Sequence, residues 1–232
     1  MRVLGIETAT TICAAAVVSD GRVLSEASVS EKYVHAERLM QQVDAVLRQA
    51  QYSLMQLDAI AISIGPGSFT GLRIGLSVAK GLSHAVDKCL VPVPTLFGLA
   101  QRVVDEQVAR RGEYILAALD ARRDAVYCQF FEVMDGRVLP LAEPRDLPVK
   151  NVATEMPAQK TWVTGDASIK LRSALSGSGS LWDLVPGRVA HCSAGTVGLL
   201  GESLMKKGEA AGAASLEPLY IKEFFVKQPA ST

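Results

Sequence analysis

The fold of this chain is decided by the stretch Gly65-Pro66-Gly67-Ser68-Phe69-Thr70-Gly71-Leu72-Arg73-Ile74-Gly75. An apolar run at residues 57–64 precedes it, and a run of small and apolar residues at 72–86 follows it. This order predicts a buried strand, a tight glycine loop and the start of a helix. Such a loop can hold an anion with its backbone N–H groups, or it can turn the chain so that the helix meets another protein.

The composition is that of a globular protein without a charge bias. The chain has 232 residues, 49% of them apolar, and its 24 basic and 24 acidic side chains give a formal net charge of zero. This length suits one large domain or two small ones. Binding of tRNA or DNA by this chain alone is not expected, because phosphate contacts need a basic excess. No membrane span is expected, since no run of about eighteen apolar residues occurs.

The N-terminus and the cysteines both indicate a cytoplasmic protein. Arg2 and the apolar run at 14–18 imitate a signal peptide, but Glu7 and the threonines after it interrupt the apolar segment that such a signal requires. A β-hairpin is the better interpretation of this region. The spacing and apolar context of the cysteines favour reduced core thiols over a disulfide framework or a zinc site: Cys13, Cys89, Cys128 and Cys192.

Hydrophobic periodicity predicts the elements of the first half. Strands are predicted at residues 3–6, 12–18, 23–29, 57–64 and 90–93, and helices at 35–50, 72–86 and 97–110. The helix at 35–50 has apolar residues at i, i+3, i+4 and i+7 spacing, which is typical of a helix with one buried face. The order βββαβαβα indicates a mixed sheet with helices on its faces.

The second half repeats the beginning of the first. In both halves an apolar strand ends in an acidic residue, Glu7 or Asp120, and an apolar-rich strand follows. A turn sequence then recurs, as Asp20-Gly21-Arg22-Val23-Leu24 and as Asp135-Gly136-Arg137-Val138-Leu139. Asp-Gly is a favoured hairpin dipeptide and can recur by chance. The matching order of all three features makes a duplication the better interpretation.

The remainder of the second half is less regular. Residues 144–157 are proline-rich and are predicted to be a loop, and residues 176–180 a flexible surface loop. A short strand is predicted at 161–164. Residues 193–207 are predicted to form a helix with Ser193 as its N-cap.

Few side chains carry chemistry by themselves. Glu7 could hold a metal-bound water or orient a nucleotide, or it could be a turn carboxylate that caps the N–H groups of Thr10 or Thr11, and Asp120 has the same two interpretations. No nucleophile elbow, Walker loop or dinucleotide fingerprint occurs. No helical metal pair is present, because the histidines stand apart: His35, His84 and His191.

The helix after the glycine loop has one face without bulk. Gly71, Gly75, Ala79 and Ser83 share that face, and this ridge can pack on the protein's own sheet or on a partner's helix. Glycine costs about 1 kcal/mol relative to alanine within a helix, so the two glycines indicate a packing purpose. Arg73 lies in the first helical turn, where the helix dipole disfavours a cation. It is expected to reach an acidic group inside the chain or on a partner.

Several motifs together are similar to those of the TsaB (YeaZ) family. The glycine stretch at residues 65–75 is the most specific of them. The others are Leu4-Gly5-Ile6-Glu7-Thr8, His35-Ala36-Glu37-Arg38-Leu39, Ala79-Lys80-Gly81-Leu82 and Glu217-Pro218-Leu219-Tyr220-Ile221. The resemblance runs over most of the chain and is strongest in its N-terminal half.

This resemblance implies a fold and a pathway. The implied fold is α/β, namely the actin-like and Hsp70-like ATPase (ribonuclease H-like) fold with two duplicated βββαβαβα-type halves. It implies an N-terminal subdomain at residues 1–103, which carries the partner interface, and a C-terminal subdomain at 104–232. The implied pathway makes threonylcarbamoyladenosine next to the anticodon of tRNAs that read codons beginning with A. TsaD is its catalytic subunit, and TsaE joins as an ATPase.

The resemblance also implies a noncatalytic scaffold. The catalytic relative carries Asn-His-x-Glu-Gly-His after the same helix, and Thr95 and Leu99 stand where its two metal-binding histidines would be. Neither side chain can be an imidazole ligand to iron or zinc. No catalytic residue, metal or cofactor of its own is therefore expected.

The partner surface is expected on the two helices of the N-terminal half. A TsaD-like subunit would bind there, and a homodimer would form when the chain is alone; tRNA would be contacted only through the complex. The residues expected at this surface are His35, Leu39, Met40, Val43, Leu47, Gly71, Arg73, Gly75 and Ala79. ATP or ADP at the partner interface is an open alternative, with contacts from Glu7, Thr8, Gly67 and Ser68.

Two other function classes stay open. A stand-alone phosphotransferase or ATPase would use the glycine loop and Glu7. A metallopeptidase is the other class, and Thr95 with Leu99 argues against its metal site.

Overall fold

A computed structural model describes residues 1–31, 34–210, 212 and 215–221. The first half begins with a meander of three strands and then alternates helices and strands. Its strands are β1 (Arg2–Glu7), β2 (Ile12–Ser19), β3 (Arg22–Ser30), β4 (Ala59–Gly65) and β5 (Cys89–Pro94). Its helices are α1 (His35–Ala50), α2 (Phe69–Val86) and α3 (Thr95–Asp105), with a 3-10 turn at Leu54–Gln56.

The second half repeats the meander with shorter elements. Its strands are β6 (Tyr114–Asp120), β7 (Ala125–Val133), β8 (Val138–Pro140), β9 (Arg145–Pro148), β10 (Thr161–Thr164) and β11 (Trp182–Leu184). Its helices are α4 (Val149–Val152), α5 (Ser168–Leu175) and α6 (Ala194–Lys206), with a 3-10 turn at Ala153–Glu155.

In the described part of the chain the strands form two sheets with one topology. Sheet 1 has the order β3-β2-β1-β4-β5, and sheet 2 has the order β11-β10-β6-β7-β8, with β9 also paired to β7. The first strand of each sheet is antiparallel to the second and parallel to the strand on its other side. The halves are therefore duplicates, as the repeated turn sequence predicts.

Both faces of each sheet are covered by helices. Helices α1 and α2 pack on one face of sheet 1, and α6 packs on the other. Helices α4 and α5 lie against one face of sheet 2, and α3 lies against the other. Helices α3 and α6 thus cross between the halves, since each is the last helix described in its half and packs mainly on the opposite sheet. The division at residues 103 and 104 stays a prediction, and α6 does not follow it.

The ends of α2 follow from local chemistry. The Ser68 side chain accepts a hydrogen bond from the Gly71 N–H at 3.2 Å, which is an N-cap. Asp87 ends the helix in a left-handed conformation, with φ of 52°. Ser193 caps α6 in the same way by accepting from the Thr196 N–H at 3.2 Å, as its sequence context predicts.

Two sequence predictions are wrong in their extent. Residues 144–157, predicted as a loop, contain β9 and α4, because their prolines fall at element boundaries where a missing N–H is tolerated. Pro148, for example, ends β9 and precedes α4. Helix α3 ends at Asp105 rather than residue 110, and Gln107 then adopts a positive φ of 57°. The short elements β11 and α5 have no sequence prediction of their own.

The cysteines and the helix lengths bear on the predictions about thiols and membrane spans. The four cysteines are free thiols, and Cys13, Cys128 and Cys192 are buried. Within the described ranges, no helix has the length and apolar character needed to cross a membrane.

Candidate functional site

The glycine loop is closed against the turn between β1 and β2. The Ser68 N–H donates to the Ala9 carbonyl at 2.7 Å. A Cβ on Gly67 would lie 2.3 Å from the same carbonyl oxygen, so only glycine fits this approach. With the Gly71 N–H held by Ser68, two of the donors that an anion would need are already used. In this chain, the loop therefore packs the start of α2 against the turn between β1 and β2.

The ridge on α2 packs on the same turn. A Cβ on Gly71 would lie 2.2 Å from the Thr8 carbonyl oxygen, and one on Gly75 would lie 2.0 Å from Thr8 Oγ1. Ala79 is fully buried in the core of sheet 1. The prediction that Gly71, Gly75 and Ala79 contact a partner is wrong, because the β1–β2 turn and the protein's own core already occupy that face.

Helix α1 gives a similar correction. Leu39, Val43 and Leu47 belong to the buried core that joins α1 and α2 to sheet 1, so they cannot contact a partner directly. His35 is also buried, and its Nε2 lies 3.0 Å from the Thr10 carbonyl oxygen and 3.2 Å from that of Ile12. An apolar stripe shows that a helix face is covered, and here the cover is the sheet.

Two of the predicted partner-surface residues remain on the outer surface of the α1–α2 pair. Met40 is 46% exposed on α1. Arg73 is exposed on α2, where its guanidinium lies over the Phe69 ring, 4.0 Å from the ring centroid. Its Nε donates to the Tyr220 hydroxyl at 3.2 Å, so a C-terminal residue also reaches this surface.

Glu7 is a buried carboxylate at the end of β1. It is 1% exposed and accepts a hydrogen bond from the Ala9 N–H at 2.6 Å, rather than from Thr10 or Thr11. Burial raises the pKa of the Glu7 carboxyl from its ordinary 4.5 to about 7, although the Ala9 N–H and the Ser63 hydroxyl counteract part of this. The neighbouring Thr8 Oγ1 is buried and has no hydrogen-bond partner among the residues described.

Asp120, the counterpart of Glu7 in sheet 2, has open surroundings. Its Oδ1 accepts from the Arg122 N–H at 2.9 Å and pairs with Lys170 Nζ at 2.8 Å. Its own N–H donates to Asp166 at 2.8 Å. Burial raises the pKa of Asp166, and the hydrogen bond from Asp120 counteracts this. This end of sheet 2 therefore carries a solvated charge network.

Most of the chain is similar to known families and structures. A sequence model of the family described as TsaD, tRNA N6-adenosine threonylcarbamoyltransferase, matches residues 22–190. The solved structure of YeaZ from Pseudomonas aeruginosa has a TM-score of 0.82 and 30% identity, covering 94% of this chain and 99% of that one. The chain belongs to this family, in its TsaB (YeaZ) branch.

Curated relatives agree over part of their length. The tRNA threonylcarbamoyladenosine biosynthesis protein TsaB of Escherichia coli is 38% identical over 127 residues, which are 55% of this chain and 53% of that protein. TsaB of Haemophilus influenzae is 32% identical over 138 residues, or 60% of this chain and 56% of that protein. The matched part of this chain thus spans about half the length of these relatives.

A more distant structure shows the fold alone. The ROK hexokinase of Thermus thermophilus has a TM-score of 0.55 at 13% identity, covering 90% of this chain and 100% of that one. The α/β, actin-like fold that the TsaB resemblance implies is therefore confirmed.

In this TsaB-branch chain, Thr95 and Leu99 have structural roles. Thr95 is 2% exposed, and its Oγ1 accepts from the Gly65 N–H at 3.0 Å, which ties the glycine loop to the start of α3. Leu99 is 1% exposed in the core between α3 and sheet 2. Both positions are committed to packing.

Sequence reasoning missed the contacts that seat α6 on sheet 1. A Cβ on Gly5 would lie 2.1 Å from the Ala194 carbonyl oxygen, and one on Gly201 would lie 2.3 Å from Ala61 Cβ. A Cβ on Gly198 would lie 2.8 Å from Val18 Cγ1. The sequence does contain an indication of this close packing, since glycines recur three residues apart in the helix predicted at 193–207.

Proposed function

We propose that this chain is a noncatalytic subunit in threonylcarbamoyl modification of the adenosine next to the anticodon, in tRNAs that read codons beginning with A. It would act with a TsaD-like catalytic subunit and a TsaE-like ATPase. The names of the E. coli and H. influenzae relatives and the matched family model support this pathway.

The roles of Thr95 and Leu99 carry the noncatalytic part of the proposal. A metal site would need two imidazoles, whereas Thr95 holds the Gly65 N–H and Leu99 fills the core of sheet 2. A histidine at position 99 would place a polar ring in an apolar core, which is costly. The closed glycine loop supports the same conclusion, since Ser68 and Gly71 bind the chain itself.

The proposed partner surface is the outer side of α1 and α2, around Met40 and Arg73. The same surface would form a homodimer in the absence of the partner. ATP or ADP would bind only where the partner completes a site, and tRNA would be contacted through the complex. Function in the cytoplasm fits this role.

Reconstitution tests the proposal. Modification of a tRNA is measured with the catalytic subunit, the ATPase and threonylcarbamoyl precursor, with and without this chain. Product is expected only when the chain is present. Undiminished product without the chain would contradict the proposal.

A matched pair of variants tests the surface. Met40→Glu puts a charge on the outer side of α1, and Met134→Glu does so at a methionine of similar exposure, 38%, in the second half. Met40→Glu is expected to weaken association with the catalytic subunit at least about tenfold, because a charge is buried in the interface. Met134→Glu should leave it unchanged, and equal effects of both would place the surface elsewhere.

A stand-alone ATPase is the alternative, and Glu7 is the observation that favours it. A carboxyl with a pKa of about 7 is in the range of a general base. Its burial behind Ala9 gives it no access to a nucleotide in this arrangement. Calorimetry of the isolated chain with ATP and magnesium decides between the two, since tight binding with turnover would favour the alternative.

A further inference from the structure

Arg73 differs from other surface cations because its surroundings hold it in one place. Its guanidinium lies over the Phe69 ring, and its Nε is bound to the Tyr220 hydroxyl. The Phe69 and Tyr220 rings also contact each other, with centroids 5.5 Å apart. The side chain has therefore lost rotamer freedom before any partner arrives, which lowers the entropic cost of binding.

The charge of this fixed side chain is not neutralised within the chain that the structure describes. None of the ion pairs there includes Arg73 or Lys80. The two cations lie two turns apart on one face of α2, with Ser77 between them. They line a pocket of about 360 Å³, whose other wall is formed by Leu216, Glu217, Pro218 and Tyr220.

The guanidinium of Arg73 can bind a partner while Tyr220 holds it. Arg73 is the fifth residue of α2, beyond the first turn in which the helix dipole would disfavour a cation, and its hydrogen bond to Tyr220 uses Nε. The Arg73 side chain presents its terminal N–H groups in a planar fork that matches a carboxylate in two hydrogen bonds. Such a pair would neutralise the arginine and use its fixed geometry.

We propose that Arg73 and Lys80 form a receptor for a carboxylate side chain of the partner subunit, with Tyr220 as a positioning residue. This inference rests on the proposed function. It assigns the C-terminal segment at residues 216–221 a part in recognition, because that segment builds one wall of the pocket and fixes the arginine.

A single carboxylate fits the pocket better than a nucleic-acid backbone. Glu217 lies in the same pocket as Arg73 and Lys80 and offsets one of their two charges, so the charge that remains matches one carboxylate and not a run of phosphates. The chain as a whole has a formal net charge of zero, whereas binding of RNA draws on many cations at once. A partner carboxylate needs only the two cations present.

The experiment measures the dissociation constant of the full chain with the threonylcarbamoyltransferase subunit of the same organism. Arg73→Ala is expected to weaken binding about 10- to 100-fold, as for a central arginine of an interface. Arg73→Lys, which keeps the charge but loses the fork, should weaken it by less. Arg172→Ala is the matched control, since Arg172 is an exposed helical arginine of the second half without an ion pair in the described residues, and should bind like the wild type.

Tyr220→Phe tests the positioning role, because it removes only the hydroxyl. In the otherwise wild-type chain, Tyr220→Phe is expected to weaken binding about three- to tenfold. In a chain that already carries Arg73→Ala, it should cause no further loss, since the two changes remove the same interaction. Additive effects of the two changes would contradict the positioning role. Thermal unfolding of each variant confirms that the chain is folded.

Other outcomes separate the two proposals. Wild-type affinity of Arg73→Ala and Arg73→Lys would overturn the receptor and leave the proposed function standing. Failure of the wild-type chain to bind the transferase subunit would overturn the proposed function itself. Binding of tRNA by the isolated chain that Arg73→Ala abolishes would assign the pocket to phosphate and overturn the carboxylate receptor.

Discussion

Glu7 and Asp120 occupy matching places in the two halves, at the end of the first strand of each sheet, yet their surroundings are opposite. Glu7 is buried, holds the Ala9 N–H and has a pKa raised to about 7. Asp120 is exposed and pairs with Lys170. The duplication preserved the strand order and the acidic residue, and what changed is the cover over the carboxylate.

The cover of Glu7 comes from tight packing in the first half. Gly67, Gly71 and Gly75 bring α2 and its loop onto Thr8 and Ala9, just beyond Glu7. In the second half, the turn after Asp120 is spanned by Arg122 and Arg123, both with positive φ, and stays open. A repeated topology therefore does not imply a repeated site, because a few close approaches decide whether the strand end is sealed.

The crossing helices show what the two halves still share. Glu202 of α6 accepts from the Gly21 N–H at 2.8 Å, in the turn between β2 and β3. Gln101 of α3 donates to the Gly136 carbonyl at 3.0 Å, in the matching turn of sheet 2. In each half, the repeated Asp-Gly-Arg turn is thus bound by a buried side chain, Glu202 or Gln101, from the helix that packs on that half's sheet.

The largest expected effect comes from breaking the seal in the first half. Gly75→Leu would push a side chain into Thr8 and should lower the free energy of unfolding by about 3 kcal/mol or more. Gly81→Leu on the same helix is the control, since a Cβ there meets nothing within 4 Å. Urea unfolding compares them, and a Gly75→Leu chain of normal stability that fails only in partner binding would mean that the ridge faces outward.

The Glu7→Gln variant tests the contrast between Glu7 and Asp120 through the pH dependence of stability. The raised pKa means that the folded state binds a proton more tightly than the unfolded state. The contribution of the protonated Glu7 carboxyl to the free energy of unfolding is therefore fully present below about pH 4.5 and is lost as the pH rises through 7. The stability of Glu7→Gln relative to wild type should rise by about 3 kcal/mol between pH 4.5 and 8. Urea titrations across this range measure it, and a difference that stays flat would show that Glu7 titrates normally.

A third comparison uses the crossing helices. Gly201→Ala should cost about 2 kcal/mol, because the new Cβ would lie 2.3 Å from that of Ala61. Gly98→Ala on α3 should instead stabilise by about 0.5 to 1 kcal/mol, since a Cβ there meets nothing within 4 Å and alanine favours the helix. Thermal unfolding of both gives the sign directly, and the same sign for both would refute the asymmetry.

The smallest effect is expected at the open end of sheet 2. Asp120→Asn removes the ion pair with Lys170, whose Nζ also donates to the Ala125 carbonyl at 3.1 Å. A loss below about 1 kcal/mol is expected, and it should shrink further in 1 M salt. A larger loss that salt does not change would mean that Asp120 is as sealed as Glu7.

Local chemistry made much of the fold predictable. Helix α1 has the bounds His35–Ala50 that its apolar period predicts, and the Ser193 cap and the duplication follow from the sequence in the same way. The helix bounds and the cap depend on neighbours within a turn or two, and the duplication is visible because the same residues recur in the same order. The family motifs likewise predicted the actin-like fold, which the structural comparison confirms.

The candidate site was less predictable, because it depends on contacts between distant residues. The small face of α2 indicated close packing, but the sequence could not say that Thr8 would fill it. The apolar stripe of α1 is compatible with a partner or with the core, and the structure shows that it is the core face. For Arg73, no ion pair with an acid is found among the described residues, although Glu217 lies in the same pocket, and Phe69 and Tyr220 contact its guanidinium.

The crossing of α6 has a consequence for synthesis of the chain. Residues 2–94 supply every strand of sheet 1, but the helix that covers one of its faces begins at Ala194. As the chain leaves the ribosome, sheet 1 must wait with an apolar face uncovered until α6 has been made. Translation order therefore completes the packing of sheet 1 only after the described strands of sheet 2 have been made, although its own strands are made first.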